Sequence, residues 1–416
     1  MLIGFVGLTH LGLCTMAACT VKGHKTIGYL EKKNKFDLKS VYFEKDLKKI
    51  LSKKSKNFKV TNSMEDLNKC DFIYISEDIP TNNKGISNLR SINKLIISLF
   101  KIISSKIPII ILSQVPPGFT RKICNLRENI YYQVETLIFG SAIERALKPE
   151  RIIIGLKNKN QKINVRYNNF IKSFKCPIIK MNYESAEFTK IAINLYLISS
   201  VSMTNIASGI SRSINVEWPD VKKALILDKR IGKHAYLDPG LGISGGNLER
   251  DLETVKSFTS NQSIEKIYFQ LFSKISKKMK KWPFRVFINL LKDFPKIKKI
   301  GILGLSYKKN TNSIKNSPSI SFMNDINIYT KNNKMNIQFI VYDPVAKIDN
   351  KFLKVNQTKS LKSLFKKVDV LYILSPWDEF KLDAKKIFNN NNIQYIVDPF
   401  KLLKNSNNFK NRYFSL

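Results

Sequence analysis

The sequence predicts an α/β protein with two Rossmann-like, doubly wound domains joined by a long central helix. Three observations lead to this prediction. Short apolar runs alternate with helix-length segments in the first and the last third of the chain, which is the pattern of parallel sheets covered by helices. A glycine-containing turn at residues 7–12 follows the first apolar run. A long helical segment at residues 185–214 separates the two regions.

Length and hydrophobicity set the number and kind of domains. The 416 residues are enough for two or three domains, at about 150 residues each, and we place them at 1–180, 181–290 and 291–416. The hydrophobic content of 43% supports sizeable cores. The sequence has no apolar run of about 18 residues, so no membrane-spanning helix is expected. The apolar start lacks a basic segment, and we interpret it as a strand and turn, not as a signal peptide.

The chain is strongly basic, with 71 Lys and Arg against 32 Asp and Glu and a net charge of +39. Such an excess suggests a polyanionic partner. Lysine is abundant along the whole chain, however, including local runs such as residues 277–281. We therefore interpret the excess as compositional and solvated, and we expect no nucleic-acid partner. An anionic nucleotide ligand would still benefit from the positive field.

Five cysteines and three histidines limit the redox and metal chemistry of the chain. The cysteines are scattered, odd in number and without a CxxC pair. This pattern indicates a reducing, cytoplasmic compartment and argues against a disulfide framework or a zinc site. We predict no metal centre.

Four apolar runs are predicted as strands of the first domain. The first two, with the helix between them, have the spacing of a dinucleotide-binding βαβ unit. Ligands bind outside the carboxyl ends of such strands, and Gln114, which follows the fourth run, is assigned to the cofactor site. The four runs are residues 2–8, 26–30, 71–76 and 107–112.

The dinucleotide fingerprint G-x-G-x-x-G is present only in part, as Gly7, Thr9 and Gly12. Thr9 replaces the glycine at which the backbone approaches a pyrophosphate. Leu30 occupies the usual position of the ribose-binding acid, and Glu31 comes next. We assign Gly7, Thr9, Gly12 and Glu31 to cofactor binding.

The central segment at residues 185–214 is predicted as one long helix with Ser185 as its N-cap. Lys190 and Asn194 lie four residues apart in it and so project from one face. We interpret them as candidate site residues. The alternative is an ordinary amphipathic helix with an exposed Lys and Asn.

Residues 228–252 carry five glycines and a proline between two helical segments. Glycine tolerates positive φ and close backbone approach, so the stretch predicts a shaped loop. Its charged residues suit a polar substrate; they are Asp228, Arg230, Arg250 and Asp251. The alternative is a glycine-rich surface loop without a ligand.

The last third repeats the alternation of strands and helices. Residues 252–294 are predicted as helical and basic, and a second α/β unit opens at Gly301. Later strands are predicted at 337–342, 368–374 and 395–398. The polar tail beyond Leu403 is expected to be frayed.

These motifs resemble the UDP-glucose 6-dehydrogenase / GDP-mannose dehydrogenase family along nearly the whole chain and in the same order. The glycine-rich stretch resembles the family's R-I-G and F-L-x-P-G-x-G-F-G-G-S-C-x-x-K-D loop. Residues 149–155 match P-x-R-I-V-I-G, and Lys190 and Asn194 stand in the family's A-E-x-x-K-x-x-x-N context. The loop positions that match are Arg230, Ile231, Gly232, Pro239, Gly240, Gly242, Gly245 and Asp251.

The resemblance implies an NAD-dependent enzyme that oxidises a nucleotide sugar, most simply a UDP-sugar, in polysaccharide biosynthesis. It also implies a homodimer built on the long helix. Lys190, Asn194, Asp251 and Glu135 take the family's catalytic positions, with Asn247 at the position of the nucleophile. The substrate-binding positions are Arg230, Tyr236, Gly240, Gly242, Lys308 and Lys315.

Several family positions that belong to the second oxidation have changed. The nucleophilic cysteine is Asn247, a threonine near the reacting centre is Gln114, and the second glutamate of the P-E-F-L-R-E-G-x-A motif is Phe139. A thiolate adds to an aldehyde and leaves again, whereas an amide only donates and accepts hydrogen bonds. Lys315 replaces an arginine of the family, and Phe400 replaces a second, substrate-binding arginine.

Three hypotheses remain open from the sequence. The first is an enzyme limited to one oxidation or to a transient one. The second is a full dehydrogenase that reaches the acid through a hydrated aldehyde without a cysteine. The third is a binding or regulatory pseudoenzyme, which Thr9 and the displaced acid at Glu31 favour.

Overall fold

The computed structural model of the chain describes residues 1–31, 44, 46–53, 55–82, 86–348, 355–390, 393–409 and 412–416. The chain forms two units, Met1–Ile193 and Asn194–Leu416, and the boundary falls within a long helix. The division predicted from the sequence, into 1–180, 181–290 and 291–416, is finer than these two units and stays a prediction.

The first unit is a sheet with helices between its strands. Its strands are β1 (Leu2–Val6), β2 (Lys25–Tyr29), β3 (Phe58–Thr61), β4 (Phe72–Ile75), β5 (Ile109–Ile111), β6 (Ile130–Gln133), β7 (Ile152–Leu156) and β8 (Ile178–Asn182). Its helices are α1 (His10–Val21), α2 (Leu47–Lys53), α3 (Arg90–Ile102), α4 (Phe119–Cys124), α5 (Ala142–Leu147), α6 (Val165–Lys172) and the start of α7 (Tyr183–Ser213).

The strand order of this sheet is β3-β2-β1-β4-β5-β6-β7-β8. All neighbours are parallel except β6 and β7. The first six strands have the order of a Rossmann fold. In this fold the strand order runs to one side of β1 first and then switches to the other side at β4. The carboxyl ends of β1 and β4 therefore form the predicted ligand-binding edge.

The first sheet has a hydrophobic core on each of its two faces, because apolar side chains along its strands point alternately to one face and the other. In β4, Ile73 and Ile75 pack into the core on one face, and Phe72 and Tyr74 pack into the core on the other. Successive side chains of a strand point to opposite faces, so a strand buried on both faces is apolar throughout.

The second unit repeats this architecture after a group of helices. Its further helices are α8 (Trp218–Leu227), α9 (Asn247–Ser257), α10 (Ile264–Lys280), α11 (Trp282–Asp293), α12 (Pro318–Asn332), α13 (Leu361–Phe365) and α14 (Ala384–Asn390). Its strands are β9 (Lys299–Leu303), β10 (Gln338–Tyr342), β11 (Val355–Gln357), β12 (Val370–Ile373), β13 (Tyr395–Val397) and β14 (Tyr413–Phe414). They pair in the order β11-β10-β9-β12-β13-β14, all parallel. The predicted fold class, two doubly wound domains joined by a long helix, is confirmed.

Two predicted helix starts are wrong. The long helix begins at Tyr183, directly after β8, so Ser185 lies in its first turn and is not the N-cap. The stretch predicted as a loop up to residue 252 becomes helical at Asn247. In both cases the helix begins earlier in the chain than the local sequence pattern indicates, since tertiary context can override local propensity.

The prediction of a frayed tail is also wrong. β14 pairs with β13, and Leu416 is only 2% exposed. Tyr413 Oη donates a hydrogen bond to Asp398 Oδ2 at 2.7 Å. The last four residues thus complete the second sheet and part of its core. Because they pair with a strand formed earlier in the chain, the polar composition of the tail does not indicate this pairing.

By length and composition, α7 qualifies as a candidate membrane span, with a mean hydropathy of 1.3 over its best 18 residues, of which 39% are buried. One such helix is weak evidence, because core helices of water-soluble proteins share these properties. The prediction that no membrane is involved stays a prediction.

Candidate active site

The turn between β1 and α1 has the close backbone packing of a dinucleotide-binding turn. Gly7 has φ +96, and a β-carbon there would lie 2.6 Å from Glu77 N. A β-carbon on Gly12 would lie 2.2 Å from Gly7 O. Only glycine fits at either position, as this turn requires.

Thr9, the replaced glycine of the fingerprint, is the N-cap of α1. Its hydroxyl donates to Ser76 O at 2.7 Å and accepts from Gly12 N at 3.4 Å. The hydroxyl therefore fastens the start of α1 to the carboxyl end of β4. The side chain that Thr9 adds to the fingerprint therefore makes its hydrogen bonds within the turn.

A cleft of about 790 Å³ lies at the carboxyl ends of β1, β2 and β4. Gly7 and Glu31 both line it, and Glu31 follows Leu30 at the end of β2. A carboxylate in this place suits the ribose hydroxyls of a dinucleotide. Glu77 also lines the cleft, and burial, and then the charges of Asp78 and Glu31, raise its pKa. The turn, the cleft and the carboxylate together fit NAD.

Glu135 and Lys190, both predicted to be catalytic, form an ion pair in the first unit, with Lys190 Nζ 3.2 Å from Glu135 Oε2. Lys190 is 8% exposed. Glu135 follows β6, and its carboxylate also accepts from Leu137 N. A cation held in a site with little water interacts strongly with developing negative charge, such as that of an alkoxide.

Glu187 is a site residue that the sequence did not single out. It lies in α7, three residues before Lys190, with a fully buried side chain. Its carboxylate accepts from Gly118 N at 2.6 Å and Thr120 N at 2.7 Å. It thereby ties α7 to the end of the loop that carries the half-buried Gln114. The only indication of Glu187 in the sequence was that it is the glutamate of the A-E-x-x-K motif.

Glu187 is expected to make stability depend on pH near neutrality. Burial raises its pKa to about 7, against the lowering effect of its hydrogen bonds to Thr120 and Gly118. The folded protein therefore holds this proton more tightly than the unfolded chain. The stabilisation is full below the ordinary pKa of 4.5 and is lost as the pH rises through about 7. Its size is about 3 kcal/mol.

Unfolding free energies of the wild type and of Glu187→Gln, measured by denaturant titration between about pH 5 and pH 8, test this expectation. The variant should lose most of the decline that the wild type shows with rising pH. Glu184→Gln is the control, because the hydrogen bond from Arg121 lowers the pKa of Glu184 and moves its titration below this range. Equal slopes for the wild type and Glu187→Gln would contradict the expectation.

Phe139, which replaces the family's second glutamate, stacks on His10 with ring centroids 4.0 Å apart. His10 Nε2 lies 2.8 Å from Glu44 Oε2, and Glu44 accepts from Gly140 N and Ala142 N, both at 3.0 Å. A carboxylate is therefore still held beside this segment, but three protein groups already surround it.

The ligand-type atoms of His10, Cys14 and Glu44 lie within 4.8 Å of one another. Burial, and then the charges of Glu44 and Glu135, raise the pKa of the Cys14 thiol far above its ordinary value. Because the Cys14 thiol is neutral and the Glu44 carboxylate is hydrogen-bonded, these three side chains form a buried polar network. The absence of a metal centre stays a prediction.

The second unit brings together Asn194 and Asp251, two more of the predicted catalytic residues. Asn194 Nδ2 donates to Asp251 Oδ2, and Arg250 Nε lies 3.2 Å from Asp251 Oδ1. Asp251 is 2% exposed. Asn247 is exposed at the first residue of α9, one turn before Asp251, so both project from one face of this helix.

Polar side chains of α7 hold the glycine-rich stretch. Asn205 Oδ1 accepts from Gly240 N at 2.8 Å, and Thr204 Oγ1 donates to Tyr236 O at 2.6 Å. Gly242 has φ +81, and a β-carbon there would lie 2.8 Å from Ser276 O. Tyr236 is 42% exposed. Nothing in the sequence around Asn205 or Thr204 indicates these contacts.

The predicted substrate cations differ in their surroundings. Lys315 is exposed, and its stem covers Gly246, where a β-carbon would lie 3.2 Å from Lys315 Cδ. Lys308 is half-exposed, with Nζ 5.9 Å from the centre of the Tyr307 ring. Arg230 is solvent-exposed and ion-pairs with Asp228 at 2.7 Å.

The loops after β9, β10 and β12 meet at the carboxyl edge of the second sheet. Asp343 Oδ2 accepts from Leu305 N at 2.7 Å and from Ser306 N at 3.0 Å. Trp377 Nε1 donates to Ser306 Oγ at 3.1 Å. A doubly wound sheet binds its ligand at this edge, and these buried contacts fix the loops there.

A dinucleotide turn with its cleft, followed by a second sheet of the same order, defines a dehydrogenase with two nucleotide-binding folds. Models of the UDP-glucose/GDP-mannose dehydrogenase family match the chain in three parts. The NAD binding domain matches residues 1–172, the central domain 184–278 and the UDP binding domain 301–405.

Similar proteins agree with these matches. A UDP-glucose 6-dehydrogenase of Campylobacter jejuni is 31% identical over 70% of this chain and 71% of its own. One of Rickettsia conorii is 26% identical over 97% and 96%. The solved structure of a UDP-glucose dehydrogenase from Pyrobaculum islandicum has a TM-score of 0.80 at 21% identity, covering 99% of this chain and 96% of its own.

The chain belongs to the UDP-glucose/GDP-mannose dehydrogenase family, a family of NAD-dependent nucleotide-sugar dehydrogenases. The predictions of the family, the enzyme class and the NAD cofactor are confirmed. The roles predicted for individual site residues stay predictions.

Proposed function

We propose that this chain oxidises a primary alcohol of a UDP-sugar to the aldehyde with NAD⁺ and stops after that one oxidation. The observation that carries the proposal is an asymmetry between the two halves of the family's reaction. The Lys190–Glu135 and Asn194–Asp251 pairs are kept as buried contacts. The nucleophile position holds the exposed amide of Asn247.

In the proposed reaction the sugar CH₂OH loses a hydride from carbon and a proton from oxygen. The chemistry that bound NAD⁺ supplies is acceptance of this hydride. The ammonium of Lys190 stabilises the oxygen as its proton leaves to water. Asn247 has no electron pair nucleophilic enough to add to the aldehyde, so a second hydride transfer through a thioester is not available.

A UDP-sugar is the proposed substrate because the chain carries the family's UDP binding domain. Lys308 and Lys315 supply positive charge for its phosphates or sugar, although Lys315 lacks the bidentate fork of the arginine it replaces. The five free cysteines support a cytoplasmic location. Nucleotide-sugar oxidation there would serve polysaccharide biosynthesis.

The test is the number of NADH molecules formed per UDP-glucose, and per related UDP-sugar, consumed by the protein, together with calorimetric binding of NAD⁺. One NADH per sugar with an aldehyde product supports the proposal. Two per sugar would mean that the acid is made without a cysteine.

The pseudoenzyme is the second candidate, and it is favoured by Thr9 in the cofactor turn and by Leu30 after β2. It predicts neither NADH formation nor NAD⁺ binding in the same experiment. Tight NAD⁺ binding would exclude a pseudoenzyme that has lost its cofactor. If NADH were still absent, a transient oxidation would be favoured over the net reaction.

We also propose a homodimer that forms through an exposed apolar stripe on α7. Tyr196, Met203 and Ile210 are 81%, 64% and 56% exposed, and they lie seven residues apart. This spacing keeps them on one side of a helix and is that of a helix–helix seam. Ile206 adds to the stripe between them and is 40% exposed. A second copy presents the same stripe, so the two are self-complementary.

The double variant Met203→Glu/Ile210→Glu is expected to be a monomer, because paired stripes would bury like charges opposite one another. Light scattering after size-exclusion chromatography measures the mass directly. Leu227→Glu is the matched control, since Leu227 is 81% exposed on α8. A wild-type mass equal to one chain would contradict the proposed dimer.

A further inference from the structure

The basic run at residues 277–281, expected to be solvated, contains one buried lysine. Lys280 is 8% exposed, whereas Lys277, Lys278 and Lys281 are exposed. The cause is helical spacing, because Phe272, Ser276 and Lys280 recur every four residues of α10 and share its buried side. The charge of Lys280 thus lies inside the second unit.

The ammonium group of Lys280 bonds two side chains, and one of these bonds a backbone carbonyl in turn. Lys280 Nζ lies 2.7 Å from Glu249 Oε1 and donates to Asn316 Oδ1 at 2.9 Å. Asn316 Nδ2 donates in turn to Gly245 O at 3.2 Å. Burial lowers the pKa of Lys280, and Glu249 acts against this lowering. A buried cation is tolerated only where such partners compensate its lost hydration.

These contacts fall on both sides of Asn247. Gly245 precedes it in the glycine-rich stretch, and Glu249 follows it in the first turn of α9. Asn316 is next to Lys315, whose stem covers Gly246. One lysine at the end of α10 therefore fastens the end of the loop, the start of α9 and the segment that carries a predicted substrate cation.

We propose that Lys280 is a positioning residue, which holds the turn around Asn247 and the Lys315 segment in the arrangement that sugar oxidation needs. It acts through Glu249 and Asn316 and does not touch the substrate. The inference rests on the proposed function for its effect on catalysis. Its structural part, a local anchor for residues 243–249, stands on the contacts alone.

Lysine suits this place because its ammonium donates in three directions from a thin stem. Methionine would fill similar volume but leave Glu249 and Asn316 without their partner. Arginine keeps the charge in a planar fork and should keep at least the bond to Glu249. Lys280→Met and Lys280→Arg therefore separate loss of the anchor from a change of size.

The experiment compares wild type, Lys280→Met, Lys280→Arg and the control Lys278→Met, which removes an exposed lysine of the same run. Amide hydrogen exchange is measured across the chain, and NADH formation with UDP-glucose gives kcat and KM for both substrates. In Lys280→Met, exchange at residues 243–249 should rise about tenfold or more, with the first unit unchanged. The kcat/KM for the sugar should fall about 10²-fold, as expected for misplacement of reacting groups, with KM for NAD⁺ unchanged.

Lys280→Arg should recover part of both losses, and Lys278→Met should behave as wild type. If exchange at 243–249 is unchanged in Lys280→Met, the inference is wrong whatever the activity. If the wild type neither oxidises nor binds UDP-sugars while exchange still rises in the variant, the anchor stands and the proposed function fails. If Lys280→Met does not fold, Asn316→Ala, which removes the bond from Lys280 and the bond to Gly245 but keeps the Lys280–Glu249 pair, provides the same local measurement.

Discussion

Lys190→Met is expected to lower kcat for sugar oxidation by about 10²- to 10⁴-fold, the range for removing a positioned proton-transfer or charge-stabilising group. Lys190 is 8% exposed and lies 3.2 Å from Glu135. Its charge is therefore fixed in a site with little water, where it costs no reorganisation when the alkoxide forms. Methionine keeps most of the unbranched stem of the side chain and removes the ammonium group.

Initial rates of NADH formation under saturating NAD⁺ and UDP-sugar measure this loss. Lys180→Met is the matched control, because Lys180 is an exposed lysine of the same unit. A thermal unfolding scan checks that the variant folds, since the substitution leaves Glu135 without its cation. A kcat within threefold of wild type, in a folded variant, would remove Lys190 from the proposed mechanism.

The sequence predicted β1, β2, β4 and β5 because the information is local, and it left the other four strands of the first sheet unpredicted. Strands such as β4 and β5 are short, apolar and followed by polar loops, and the right-handed connection of parallel strands limits the orders that they can take. Gly7 and Gly12 were predictable for the same reason, since the turn they occupy leaves no room for a β-carbon. Local pattern and global fold agree at these positions.

The partners of site residues were not predictable, because each joins distant parts of the chain. Nothing near Glu44 indicates His10, and nothing near Lys280 indicates Asn316. Asn205 gave no signal either, although it holds Gly240. Periodicity shows which face of an element is buried, but not which element comes to cover it. For this reason the burial of Lys280, within a charge run that is otherwise exposed as predicted, was not foreseen.

In the proposed function, the second oxidation is lost and the first one is kept. Asn247 is an exposed amide, and Phe139 is an aromatic ring that stacks on His10. Because the Lys190–Glu135 and Asn194–Asp251 contacts involve neither residue, the proposed first hydride transfer should not need a thiol at residue 247. A thiol introduced there should therefore restore the step that is proposed to be lost.

Asn247→Cys is therefore expected to gain the second oxidation without efficient release of the product. The start of α9 favours a thiolate at its first residue. The introduced thiolate adds to the aldehyde carbon, and hydride transfer from this adduct to a second NAD⁺ leaves a thioester on the protein. Hydrolysis should be slow because the substitution adds no group that activates water.

The expected reading is one extra NADH per chain in a single burst, and an intact mass increased by the acyl group of the nucleotide sugar. Asn247→Ser is the control, because a hydroxyl is a far weaker nucleophile near neutral pH. If Asn247→Cys yields neither the burst nor the adduct, residue 247 does not face the aldehyde, and the single oxidation needs another cause.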